Sequence, residues 1–165
     1  MDQEERLIIV SAVSSLMRRY DRVEAGCLYW ADTVVNQLAQ HGVSAIIQAG
    51  SLMWPRIKPE QDDGVSPTHF SYVWDAHNPL TISRVRQRLL PEMHVWAAIP
   101  ATNEIIDLTT KFLPHQCKQI IGYDWPGEAP PDYLWATVSE LPNGVIYDPS
   151  IEAIAVALLL LGKVR

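Results

Sequence analysis

Between residues 3 and 20 the apolar positions Ile9, Val13, Leu16, Met17 and Tyr20 recur at spacings of three and four, which predicts an amphipathic helix. Arg18 and Arg19 fall in its last turn, where positive charge suits the helix dipole. A second stripe, Cys27, Trp30, Ala31, Val34 and Leu38, predicts a helix from about Cys27 to His41. Gly42 is the expected left-handed terminator. After that the period changes from helical to alternating. Strands are predicted over 43–50, 69–76, 94–99, 104–110, 133–138 and 144–147. Proline-rich and glycine-rich loops are predicted at 54–67 and 126–131. The chain closes with a helix that has Asp148 as N-cap, Pro149 at the first helical position and Gly162 as terminator. That helix is apolar almost all round, so burial or an oligomer contact is expected of it. The order of two helices, a group of antiparallel strands and a closing helix defines an α+β domain. A single domain over 1–165 is expected, since neither an internal repeat nor a linker interrupts the pattern.

The hairpin at 94–110 is the most informative pair of strands. "HVWAAI" and "EIIDLTT" are joined by "PATN". If that is a four-residue loop, Ile99 faces Glu104. Trp96 then faces Asp107, His94 faces Thr109, and His94 and Asp107 share one face as diagonal neighbours. Diagonal positions lie about 7–8 Å apart at the backbone, within reach of these side chains. A slip of one residue would put them on opposite faces. The natural register therefore sets a carboxylate beside an imidazole, which it can orient and support when charged.

Two cysteines, Cys27 and Cys117, cannot build a disulfide framework. Cys27 stands where a helix begins, and a helix N-terminus together with a nearby imidazole favours the reactive thiolate. Taken alone, a cysteine on an apolar stripe is more often a packing residue; the His94–Asp107 hairpin turns the balance towards a nucleophile. Cys117, after "FLPHQ", is read as structural. Trp30 and Trp96 are read as core or pocket wall. His69, Asp75 and His77 are competent metal ligands, but their spacing matches no recognised motif, and no metal or other cofactor is expected. Arg84, Arg86 and Arg88 occupy alternate positions and read as a solvated basic edge.

These residues resemble a family. "GCLYWADTVVNQLAQHGVSAIIQAG" looks like the core of transglutaminase-like cysteine enzymes, with Cys27, Trp30, Ala31, Leu38, Gly42, Val43, Ala45 and Gly50 at the matching positions. The family's second box, His-x-Trp and then hydrophobic-Asp-x-Thr, is matched by His94, Trp96, Asp107 and Thr109. The boxes occur in the family's order and span roughly residues 20 to 110. This chain departs from the pattern at Leu108, where the family often has proline. It also lacks the calcium cluster and flanking β domains of the large animal members.

The resemblance implies a papain-like core in which Cys27 is the nucleophile, His94 the general base and acid, and Asp107 the orienting group. The chemistry implied is acyl transfer on a peptide or protein amide through a thioester, with hydrolysis preferred and glutamine deamidation or crosslinking as rivals. The Cys27 backbone N–H would serve the oxyanion; Tyr20 and Gln48 are weak side-chain candidates. A reading from another class is a non-catalytic binding module on the same fold.

A net charge of −6 argues against general nucleic-acid binding, which needs a basic face. The first residues are acidic where a signal peptide would be basic. The longest apolar run, "IAVALLLLG", is far short of the roughly 20 residues that span a bilayer. A soluble cytoplasmic protein, without membrane partners, is expected.

Overall fold

The computed structural model describes residues 2–19, 26–58 and 62–164. Helices α1 (Gln3–Arg19) and α2 (Gly26–Gln40) precede strands β1 (Ile46–Pro55) and β2 (His69–Tyr72). Helix α3 (Pro79–Arg86), β3 (His94–Ile99), β4 (Glu104–Asp107) and α4 (Leu113–Ile121) follow. The chain ends with β5 (Leu134–Thr137), β6 (Ile146–Pro149) and α5 (Ile151–Leu160). All the strand pairs are antiparallel, in the order β2-β1-β3-β4-β5, with β6 also paired to β1. The fold is α+β, as the pattern predicts. No helix among the described residues is long and apolar enough to cross a membrane.

Two faces of the sheet are covered differently. Trp30, Val34 and Leu38 of α2, with Ile9 and Val13 of α1, pack on Ala97, Ile99 and Ile106. Ala153 and Ala157 of α5 pack in the same cluster as Ile47, Ala49 and Val95. The opposite face presents Leu52, Trp96 and Ile105 to Leu113 and Cys117 of α4. Cys117 is fully buried and its thiol donates to the Tyr123 carbonyl at 3.2 Å, a structural role. The closing helix is only partly covered: Ala153 and Ala157 are buried, whereas Ile151 is exposed.

Several boundaries differ from expectation, each for a tertiary or capping reason. β1 begins at Ile46 rather than residue 43, because Val43 N–H turns back to the Leu38 carbonyl and closes the α2 terminus. It then runs through Trp54 and Pro55, which the sequence pattern assigns to a loop, because β2 and β6 pair with its second half. β4 stops at Asp107 rather than 110: the Asp107 carboxylate takes the Thr109 N–H, turning the chain into a short 3₁₀ segment and α4. α3 and α4 are helices that the pattern did not predict. Asn78 caps α3 with Pro79 in its first turn, and Arg84 and Arg86 of the expected solvated basic edge lie on this helix. Ser150, not Asp148, caps α5, because Asp148 and Pro149 remain paired with Ser51 and Gly50 in β6.

Gly50 is a point of close backbone approach in the sheet. It faces His94 on β3 and Pro149 on β6, and a Cβ there would lie 2.0 Å from the Asp148 carbonyl oxygen. Backbone cannot yield as a flexible side chain does. Gly50→Ala is therefore expected to cost about 3 kcal/mol or more in urea unfolding, at the upper end for overpacking. An unchanged denaturation midpoint would contradict this close approach.

Candidate active site

The 94–107 hairpin has the register expected from its loop: Ile99 faces Glu104, Ala98 faces Ile105 and Ala97 faces Ile106. His94 and Asp107 consequently share a face, and His94 Nε2 lies 2.6 Å from Asp107 Oδ2. Both residues are only 2% exposed. Tyr72 stacks on the imidazole with centroids 5.5 Å apart and an interplanar angle of 18°. Trp96 lies beyond it at 6.3 Å, also nearly parallel. The ring is thus walled by aromatic surfaces and tethered at one nitrogen.

The other nitrogen, Nδ1, is buried and lacks a hydrogen-bond partner of full geometry. Cys27 stands in the first turn of α2, is half-buried, and packs against the cluster containing Leu28, Met93 and Val95. Its sulfur is near enough to act on His94 both as a hydrogen-bond partner and as a charge, although the contact falls short of a formed bond. Loose contacts of this kind are common in catalytic pairs without substrate. The nitrogen roles are the reverse of those in the Ser-His-Asp template, where Nδ1 meets the carboxylate.

Electrostatics favour a charged pair. Burial pulls the His94 pKa down, but the Asp107 charge and hydrogen bond, aided by Cys27, outweigh it and raise the value to about 10. Burial likewise resists ionisation of Asp107, yet the facing imidazole and the Thr109 hydrogen bonds hold its pKa below the usual range. Tyr72 is kept neutral by burial, then by the charges of Cys27 when ionised, Asp107 and Glu92. Cys27, His94 and Asp107 are therefore brought together at one end of the sheet.

The remaining sequence candidates fare differently. Tyr20 lies outside the described residues. Gln48 sits on β1 opposite Trp96, its Oε1 buried without a hydrogen-bond partner. Trp30 is a core residue on the other face, in the same cluster as Ala97 and Ile99. Trp96 is core and ring wall at once. His69, Asp75 and His77 do not assemble into a metal site: His69 Nδ1 pairs with the Thr68 hydroxyl, Asp75 accepts the His77 N–H, and no metal-holding group of three occurs among the described residues. Arg84, Arg86 and Arg88 are exposed.

Two aromatic residues at the site have no counterpart in the sequence reading, Tyr72 and Tyr147. The Tyr147 phenol donates to Asp107 Oδ2 at 2.8 Å. Leu52 on β1 faces both Tyr72 and Tyr147, a pairing that places them on the His94 face. The nearest local signal was the alternation of their strands, which marks a face without saying what it meets. Compared with family models, curated proteins and solved structures, the chain matches none.

Proposed function

We propose that this chain is a cysteine-dependent acyl-transfer enzyme with a papain-like core, acting on peptide or protein amides, with hydrolysis as its reaction. One observation carries the reading: His94 is bound at Nε2 by Asp107, its buried Nδ1 has no hydrogen-bond partner, and the Cys27 thiol lies near enough to the ring to favour its charged form. Cys27 Sγ, as thiolate, attacks the amide carbon. The oxyanion draws on the Cys27 backbone N–H, one of the free donors at a helix start. Collapse breaks the C–N bond as His94 Nδ1 gives its proton to the departing amine, leaving a thioester. Water, losing its proton to His94 Nδ1, then releases the acid and restores the sulfur. Asp107 stays ionised throughout and stabilises the imidazolium. No cofactor enters this sequence. The free thiol of Cys27 suits a reducing compartment, and the cytoplasm is the proposed location.

The test is incubation with glutamine-containing peptides, with and without a primary amine, followed by mass spectrometry. Backbone cleavage that disappears in Cys27→Ala is the expected result. Ammonia loss would reassign the reaction to deamidation, and amine incorporation to transglutamination. Absence of every product, with no thioester trapped on Cys27, would leave a binding module.

A further inference from the structure

Asp107 has more partners than holding one imidazole requires. Its Oδ1 accepts from the Thr109 N–H and hydroxyl at 2.8 and 2.6 Å. Its Oδ2 accepts from His94 Nε2 at 2.6 Å and from the Tyr147 phenol at 2.8 Å. An ionised carboxylate offers about four lone-pair sites, so all are occupied. Thr109 comes with the local turn. Tyr147 comes from β6, forty residues further along the chain. Its ring also lies edge-on to Trp96 at 5.0 Å, which restricts where its hydroxyl can point.

We infer that Tyr147 is a positioning residue of this site: its phenol takes the last free lone pair of Asp107, locks the carboxylate against His94, and weakens that oxygen's hold on the imidazolium proton. The last effect follows from sharing, because an oxygen that accepts from two donors is a poorer acceptor for each. It has a use. A general acid works best when its pKa lies near the operating pH, and an imidazolium gripped by a buried carboxylate holds its proton too tightly. The titratable groups facing the ring are Cys27 from α2, Tyr72 from β2, Asp107 from β4 and Tyr147 from β6, and Glu92, just ahead of β3, acts on Tyr72. Burial keeps the Tyr147 phenol neutral, so it acts on His94 through the shared oxygen rather than as a charge.

The catalytic consequence rests on the acyl-transfer reading; the hydrogen-bond consequence does not and is measured without catalysis. In Cys27→Ala protein, adding Tyr147→Phe should move the low-field His94 Nε2–H proton resonance further downfield. In protein that retains Cys27, Tyr147→Phe should shift the basic limb of the kcat/KM profile to higher pH and lower turnover at neutral pH by roughly threefold to tenfold, a fraction of a full acid–base contribution. A Tyr147→Phe protein that keeps its fold while the resonance stays put or moves upfield overturns the inference. Should that variant not fold, the wild-type protein decides: an NOE between the Tyr147 hydroxyl proton and His94 Nε2–H is expected, and its absence is fatal. A downfield shift in a protein with no amide turnover would support the positioning role and sink the proposed function alone.

Discussion

Iodoacetamide is expected to alkylate Cys27 at pH 6 about tenfold faster than it alkylates N-acetylcysteine, and His94→Ala should remove the advantage. The magnitude is a balance of two opposing effects. A free cysteine of pKa about 8.5 is only about 0.3% ionised at pH 6, so a cation held beside a thiol can raise its thiolate fraction by at most about 300-fold. Nucleophilicity falls with basicity, with a Brønsted slope of about 0.4–0.5, which takes back much of that gain. What remains is modest but diagnostic, because it is largest where an ordinary thiol is least reactive. His94 is the group expected to supply it, because its buried imidazole lies near enough to Cys27 for each to favour the other's charged form. Loss of the same imidazole should lower amide turnover by about 10²–10⁴, the usual contribution of a general acid–base. A rate–pH curve like that of the free amino acid, indifferent to His94→Ala, would remove the basis for the nucleophile.

Asp107→Asn should destabilise the fold by about 3–5 kcal/mol at pH 5–6, the cost of leaving one member of a buried ion pair without its partner. Asparagine keeps the shape and its oxygen can still accept from Thr109, but its NH2 replaces the oxygen that accepts from His94 and Tyr147, so the charge and those two hydrogen bonds are lost together. The sign of the pH dependence is the sharper test. In the native protein the His94 pKa is raised from 6.5 to about 10, so its stabilisation is complete below about 6.5 and is lost as pH rises towards 10. Asp107 is shifted downwards from 3.8, so its stabilisation is present above that value and is lost as pH falls. Stability should therefore be greatest between about pH 4 and 6.5. Without the carboxylate, burial is the dominant influence left on His94 and lowers its pKa, so stability should instead rise with pH from 5 to 8. Urea titrations at both ends of that range measure the slope. Identical slopes in the two proteins would mean that His94 is not charged in the native state.

Much of this site was legible in the chain because it rests on local rules. The hairpin register follows from loop length and strand alternation, and those alone set His94 beside Asp107. The stripe of α2 places Cys27 in its first turn, and the left-handed Gly42 ends the helix at its other terminus. Less was legible where one side chain redirects the backbone. Asp107 ends its own strand by capping Thr109, which a pattern of apolar residues does not record. Ser150 displaced Asp148 as the cap because pairing with β1 held Asp148 in a strand.

By itself the sequence determined the α+β class, the hairpin that unites His94 and Asp107, and the helix start that carries Cys27, because each depends on residues near one another in the chain. Only the tertiary structure decided that Cys27 comes near the imidazole, that Asp107 meets the ring at Nε2, and that Tyr72 and Tyr147 enclose the pair. Those contacts depend on how α2, β2 and β6 pack and pair around β1 and β3. That is a choice among long-range arrangements, made by total burial and strand pairing, which no short stretch of sequence encodes.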